Sequence, residues 1–428
     1  MNRFLFLIAG FAILFAACSK DSENSNENKE EEQTRTVMML PVTKTISLTA
    51  EQKSSVEKNN TFAFKLFQET WKKQTESNKS LLLSPLSMSY VMGMLGDGAQ
   101  GTTAEEIYQT MGFDVNSRAV FDELCHKLLT ELPQVDTAVK LGIANALMVK
   151  KNIELKSSYQ QTMKDIYQAE VASLDFSQPQ TINYINQWCS NKTSGMIPEI
   201  LKADDIDEAT AMLLMNATYF KATWTKKFDA KNTRNEKFSA TSGDKMLPMM
   251  HQSAVIRYAV NDTCSMISLP YGSGDKWSMT VILPAEGKTL SDIIPYMTQA
   301  SDAKLQSKLH FYTVDIKIPR FTTASDVDLN QIIADMGAPT MFTKQADFSA
   351  MATSPNSLFV SKIKQKTKAE IDEEGTAMTA VTVAAMGDTA NAYHAYPSAT
   401  FHCNRPFLYI VREASSGIIL FIGCYYGE

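Results

Sequence analysis

Polar and apolar residues alternate along residues 364–371, and no charge follows Glu374 until well beyond Gly375. Charged side chains at every second position alternate with Gln365, Thr367, Ala369 and Ile371, a period of two that predicts a half-buried β-strand. From Thr376 to Met386, after Gly375, there is no charge and no proline. Loops in water are normally polar, whereas this composition is typical of a central strand. The segment is therefore either a buried hairpin strand or an exposed loop that can later enter a sheet.

Other patterns along the chain predict a mixture of helices and strands. Phe64, Phe67 and Trp71 fall on one helical face. Leu81–Leu83 is a short apolar run, and Ser84 and Pro85 after it suit the N-cap and first turn of a helix. Further apolar, β-branched runs predict buried strands at residues 213–224, 279–284, 314–321, 404–411 and 417–423.

The segment 96–101 fits the pattern G-x-G-x-x-G. It follows a predicted helix rather than a strand, so no phosphate-binding turn is expected there. We predict a corner between two helices instead. Thr103 and Glu106 have the spacing of a capping box that opens the second helix.

The N-terminus has the pattern of a secretory signal over residues 1–17: Arg3, an apolar run from Phe4 to Ala17, and small residues at its end. The sequence Leu-Phe-Ala-Ala-Cys resembles a bacterial lipobox, which implies lipid on Cys18 and membrane attachment through it. Ser19 at the next position implies the outer membrane of a bacterial envelope, with the face left open. Residues 18–47 are predicted to be an acidic, disordered tether, and residues 48–428 the folded domain.

Composition excludes several functions. The chain has 428 residues, a net charge of −6 and no basic stripe, so nucleic-acid binding is not expected. Apart from Cys18 there are five widely spaced cysteines and no C-x-x-C, which predicts buried free thiols and no metal site. No catalytic motif such as G-x-S-x-G or H-E-x-x-H occurs. We therefore expect a protein that is not an enzyme and uses no cofactor.

Several motifs resemble those of the serpins, a family of protease inhibitors. Asp372–Thr376 is similar to the serpin proximal hinge, and Asn78 with Ser84, Pro85 and Ser87 is similar to another serpin motif. Further likeness lies at residues 185–188, 193–201, 336–337 and 347–349, in the family's own order. The resemblance implies an α+β fold with large, mainly antiparallel sheets, a helical N-terminal part and an exposed reactive-centre loop at about 375–402.

The resemblance also implies a suicide-substrate mechanism. A serine protease, or as a second option a cysteine protease, would attack the loop, and the segment after Gly375 would insert into the main sheet with the acyl-enzyme attached. The hinge and inserting strand would comprise Glu373, Glu374, Gly375, Thr376, Ala377, Met378, Thr379, Ala380, Val381 and Thr382. If Thr376 points inward, so do Met378, Ala380 and Thr382, and none of these is charged.

Counting from the hinge as in the family places the scissile bond at Thr389–Ala390. The loop is longer than usual, so Met386, Tyr393 and His394 remain alternatives. A tyrosine in the protease pocket would suit a chymotrypsin-like target. A threonine would suit an elastase-like or cysteine protease.

Two supporting clusters follow from the resemblance. Ser84, Ser87, Asn216 and Gln365 would form a hydrogen-bonded cluster under the opening sheet, with Gln365 where the family has histidine. Trp224, Arg320 and Glu373 would lie at the top of that sheet, with Arg320 and Glu373 as an ion pair. Gln365 and Met378 depart from the inhibitory pattern. They leave open the alternative of a non-inhibitory serpin that acts as an envelope binding or scaffold protein, and in either case we expect a monomer.

Overall fold

The computed structural model describes residues 42–74, 78–206, 210–274, 276–353, 358–376 and 396–428. In chain order the helices and strands are α1 (Ala50–Gln74), β1 (Leu81–Leu83), α2 (Pro85–Gly98), α3 (Gly101–Thr110), α4 (Arg118–Glu131), β2 (Val139–Lys150), α5 (Ser157–Asp165), β3 (Glu170–Leu174), α6 (Pro179–Lys192), β4 (Met212–Thr223), β5 (Arg234–Ala240), β6 (Gly243–Val260), β7 (Cys264–Tyr271), β8 (Trp277–Pro284), α7 (Gln299–Gln306), β9 (His310–Pro319), β10 (Phe321–Asp328), α8 (Asn330–Met336), β11 (Lys364–Ile371), β12 (Gly375–Thr376), β13 (Ser398–His402), β14 (Phe407–Glu413) and β15 (Ile419–Tyr425).

The strands form two sheets. The main sheet has the order β10-β11-β12-β4-β2-β3, and its pairs are antiparallel except for β2 with β3. The second sheet has the order β1-β15-β14-β8-β7-β6-β9-β13, with β5 paired to β6. In this sheet β13 runs parallel to β9. The fold is thus α+β with large, mainly antiparallel sheets, as predicted.

The largest core lies around α1, α2 and the second sheet. Phe64, Phe67 and Trp71 on α1 are buried, which confirms the predicted helical face, and β1 is fully buried. Every residue of α2 is buried. On α6 the buried side chains Ile185 and Trp188 belong to a separate, smaller core that includes residues of β2 and β4.

Most predicted elements are present, with differences at their ends. α2 ends at Gly98 and α3 begins at Gly101, so the glycine-rich segment is a corner between helices. The run 314–321 is not one strand: β9 ends at Pro319 and β10, in the other sheet, begins at Phe321.

The predicted capping box at Thr103 and Glu106 is wrong. The N-cap of α3 is Gln100. The Thr103 hydroxyl accepts from Asp347 N at 3.0 Å, and the Glu106 carboxylate accepts from the backbone N and hydroxyl of Thr340 at 2.9 and 2.8 Å. Both side chains thus accept hydrogen bonds from residues that are distant in the sequence.

Cys125, Cys189, Cys264, Cys403 and Cys424 are free and buried, as predicted. Among the described residues we find no helix with the length and apolarity needed to span a membrane.

Candidate functional site: the hinge between two strands of the main sheet

A tight turn connects β11 to β12. The Asp372 carboxylate accepts hydrogen bonds from Glu374 N at 2.9 Å and Gly375 N at 3.1 Å, and Asp372 N donates to Gly375 O at 3.0 Å. Burial raises the pKa of Asp372, although the two backbone N–H donors favour its charged form. We call residues 372–376 the hinge.

Gly375 lies against the backbone of β4. Its φ is +153°, and a Cβ at this position would lie 2.1 Å from Ala222 O. Gly375 pairs with Thr223, and Thr376 pairs with Ala222. A residue with a side chain could not approach β4 this closely, which explains why glycine occupies the position.

Thr376 points inward. It is 7% exposed, and its hydroxyl lies 2.5 Å from the Tyr271 hydroxyl. The Tyr271 ring stacks on Trp224, with centroids 4.5 Å apart and planes at 11°. On the opposite side Thr376 pairs with Ile371 of β11. The first residues after the turn are therefore already a strand between β11 and β4, whereas the sequence placed the start of the exposed loop at Gly375.

Glu373 is held by two partners beside Trp224. Arg320 Nη2 donates to Glu373 Oε1 at 2.6 Å, Arg320 Nε donates to Oε2 at 3.1 Å, and the Thr233 hydroxyl donates to Oε1 at 2.6 Å. Burial alone would raise the pKa of Glu373, but the bonds from Arg320 and Thr233 outweigh it and the pKa is lowered.

Trp224 binds the backbone of the same turn. Its indole Nε1 donates to Asp372 O and its backbone N donates to Glu374 O, both at 2.8 Å. Trp224, Arg320 and Glu373 thus lie together at the hinge, and Thr233 is a fourth member that the sequence did not indicate.

The hinge occupies one end of the space between β11 and β4. Among the described strands, β12 is the element that pairs with both of them, through Ile371–Thr376 on one side and two pairs to β4 on the other. Elsewhere β11 pairs with β10, and β4 pairs with β2. Apolar side chains of Phe220, Ile371, Tyr409 and Phe421 line the cleft next to Thr376. This is an environment that an uncharged strand can enter.

A chain of hydrogen bonds crosses beneath this cleft. The Gln365 amide donates to Ser84 O at 2.9 Å and accepts from Ser84 N at 3.0 Å. The Ser84 and Ser87 hydroxyls lie 2.8 Å apart, and the Ser87 and Thr218 hydroxyls 2.7 Å apart. Thr218 donates to Asn216 Oδ1 at 2.7 Å, and Asn216 Nδ2 donates to Asn145 Oδ1 at 2.7 Å.

The four predicted cluster residues are therefore joined, but Asn216 is reached through Thr218. The sequence contained a signal for Thr218, because residues two apart on a strand share a face. Ser84 is the N-cap of α2 by position, yet its hydroxyl makes no cap bond; it binds Ser87 and donates to Leu420 O at 3.0 Å.

Gln365→Ala is expected to lower the free energy of unfolding by about 1–3 kcal/mol, because it leaves the buried Ser84 N–H and C=O without their side-chain partner. Gln365 is 8% exposed, so water cannot readily replace the amide. Urea unfolding followed by fluorescence measures the change. Gln345→Ala, at an exposed position, is the matched control, and equal stability of the two variants would show that the amide is not a structural link.

Several predicted site residues lie outside the described residues. These are Cys18 and, within residues 377–395, Ala377, Met378, Thr379, Ala380, Val381, Thr382, Thr389, Ala390, Tyr393 and His394.

The chain that follows residues 377–395 is anchored by a cluster that sequence reasoning missed. Asp315 of β9 lies between two histidines: His251 Nε2 of β6 is 2.6 Å from Oδ1, and His402 Nε2 of β13 is 2.7 Å from Oδ2. The hydrogen bonds from the two histidines hold the pKa of the Asp315 carboxyl below its usual value. The bond from His251 has the larger effect, and the bond from His402 the smaller one. No sequence motif links these residues, since they come from three separate strands. Within the described ranges, no group of three or more His, Cys, Asp or Glu side chains is arranged to hold a metal ion.

Comparison with known proteins agrees with this architecture. A family model described as Serpin (serine protease inhibitor) matches residues 57–427. Human glia-derived nexin is 32% identical over 360 residues, which is 82% of this chain and 88% of the nexin. An uncharacterized serpin-like protein of Thermococcus kodakarensis is 28% identical over 99% of this chain and 98% of its own length.

Solved structures show the same fold. Native protease nexin-1 with heparin aligns with a TM-score of 0.76 and 29% identity, covering 88% of this chain and all (100%) of that one. Human thyroxine-binding globulin in complex with thyroxine aligns with a TM-score of 0.78 and 26% identity, covering 88% and 98%. This chain belongs to the serpin family.

Proposed function

We propose that this protein is a suicide-substrate inhibitor of serine proteases that traps its target by strand insertion. Membership of the serpin family supports protease inhibition as the general function. The proposal of trapping by strand insertion is supported mainly by one observation. Gly375 and Thr376 form a short strand that pairs with β4 on one side and β11 on the other.

The proposed reaction begins at the loop. The protease serine attacks a carbonyl among residues 386–394, an ester forms, and the peptide bond to the next residue breaks with release of its amine. Residues 377 onwards then extend β12 between β11 and β4. The cleft next to Thr376 is apolar, and the segment from Thr376 to Met386 carries no charge that would be buried without a partner.

A panel of serine and cysteine proteases, incubated with the protein and analysed on denaturing gels, tests this proposal. We expect an adduct that survives denaturation, with the mass of the protease plus the inhibitor without its released C-terminal peptide, and mass spectrometry of that peptide identifies the scissile bond. Cleavage without any adduct across the panel would contradict trapping and favour the non-inhibitory alternative, a binding or scaffold protein.

We further propose that the protein is anchored to a bacterial envelope through lipid on Cys18. The support is the signal-like segment 1–17 and its lipobox-like end. The eighteen residues from Ser19 to Thr36 would have a root-mean-square reach of roughly 20–25 Å, placing the inhibitor close to the membrane surface.

A further inference from the structure

A cluster of large side chains is exposed beside Tyr396, at the start of the last described range, residues 396–428. Val255 of β6 is 49% exposed, Phe311 of β9 is 48% exposed, and Tyr396 is 42% exposed. The rings of Phe311 and Tyr396 have centroids 6.0 Å apart, and the Arg257 guanidinium lies 5.5 Å from the Phe311 centroid. We call Val255, Arg257, Phe311 and Tyr396 the distal patch.

The patch is contiguous. Arg257 pairs with Phe311 and Val255 pairs with Thr313 in the β6–β9 ladder, and Thr313 N donates to Pro397 O at 2.9 Å. Val255, Arg257 and Phe311 also line a groove, together with Pro270, Ser278 and Ala414. Single exposed apolar residues are normal, but a contiguous set beside a groove indicates a contact surface.

The charge of the patch indicates the chemistry of its partner. Among the described residues, the structure shows no carboxylate within ion-pair range of Arg257. Its guanidinium lies over an aromatic face, where it remains available to an acidic group. A partner that fits would offer apolar contacts bordered by an aspartate or glutamate.

The position of the patch identifies which molecule could reach it. The scissile bond counted from the hinge, Thr389–Ala390, and the alternatives at Tyr393 and His394 lie shortly before Tyr396. The six residues between Thr389 and Tyr396 span at most about 20 Å when extended. A protease of roughly 230 residues has a radius of about 20 Å. The surface beside the active site of a protease bound at one of these bonds can therefore reach the distal patch.

We infer that the distal patch is a docking surface for the body of the target protease, in addition to the loop that enters its active site. This inference rests on the proposed inhibitory function and adds a specificity determinant outside the loop. Contacts at the patch would stabilise the first encounter and raise the association rate, because they are made before the peptide bond is cleaved.

The test compares rates of adduct formation with a protease that the panel identifies. Phe311→Ser, Val255→Ser and Arg257→Glu are expected to lower the second-order rate constant about tenfold each, the effect of losing one interface contact that contributes more than about 1 kcal/mol. Tyr296→Ser and Val260→Ser are matched controls, since these residues are 73% and 61% exposed but lie outside the patch. The number of inhibitor molecules consumed per protease should not change, because that ratio reports insertion rather than docking.

The outcomes separate this inference from the proposed function. Adducts that form at unchanged rates in all patch variants would overturn the docking surface and leave the inhibitory mechanism standing. If no protease forms an adduct, the same proteases with the catalytic serine replaced by alanine are tested for reversible binding. Binding weakened by the patch variants would support the surface, and binding that is absent or unaffected would overturn it. Unfolding midpoints of all variants confirm that each one is folded.

Discussion

Thr376→Arg is expected to convert the protein from an inhibitor into an ordinary substrate of the same protease. Thr376 is 7% exposed and binds the buried Tyr271 hydroxyl, so an arginine there would place an unpaired charge between β11 and β4. Burying such a charge costs several kcal/mol. The strand after the hinge would then enter the sheet too slowly to hold the acyl-enzyme. Denaturing gels should show cleaved protein and almost no adduct.

Thr376→Ser is the matched control, because it keeps the hydroxyl that binds Tyr271 and removes only a methyl group. We expect this variant to form adduct at close to the original yield. If Thr376→Arg trapped protease as efficiently as the unchanged protein, the residues after Gly375 would not need to enter the sheet, and the proposed mechanism would be wrong.

Cleavage of the loop is expected to raise the thermal unfolding midpoint on the order of 20 °C or more. Insertion of the ten residues 377–386 adds roughly 1 kcal/mol per net hydrogen bond and about 1–2 kcal/mol for each buried apolar side chain. The gain, on the order of 10–20 kcal/mol, equals or exceeds the whole stability of a typical domain. Differential scanning calorimetry of intact and cleaved protein measures it.

The cleaved Thr376→Arg variant serves as the comparison, since its loop is cut but its hinge carries a charge that opposes insertion. Cleavage should raise the thermal unfolding midpoint of this variant much less than that of the unchanged protein. An intact and a cleaved protein that melt at the same temperature would indicate that the cut segment stays outside the main sheet, which is the behaviour of a non-inhibitory relative.

Local patterns in the sequence were sufficient for β11 and for the corner after α2. Both depend on neighbouring residues, through a period of two and through a helix before the glycines. The close approach of Gly375 to β4 depends on residues distant in sequence and is visible only in the structure. The partners of the hinge could not be found in this way. Tyr271 and Thr233 are ordinary strand or loop residues in sequence, and only the arrangement of the sheets brings them to Thr376 and Glu373.

The prediction of a capping box at Thr103 and Glu106 was wrong for the same reason, because contacts with residues distant in sequence decided the outcome. Thr103 and Glu106 have side chains that can satisfy a helix N-terminus, but they can equally bind backbone from elsewhere. In this fold Asp347 and Thr340 lie within reach and take those bonds. Sequence spacing states which bonds a side chain could make, and the tertiary arrangement decides between them.

The segment that comprises β1, Ser84 and α2 makes more side-chain hydrogen bonds to one half of the main sheet than to the other. On the side of β10 and β11, Gln365 makes two bonds to Ser84, Thr367 donates to Leu82 O at 2.6 Å, and Leu82 N donates to Ser325 at 2.8 Å. Towards β4 the described residues show one side-chain bond from α2, that between Ser87 and Thr218. If β11 and β4 separate to admit a strand, the molecule should part along this seam. Of the bonds between α2 and the sheet, the pair of hydroxyls on Ser87 and Thr218 would break, while the bonds that tie β10 and β11 to β1 and to Ser84 would be kept.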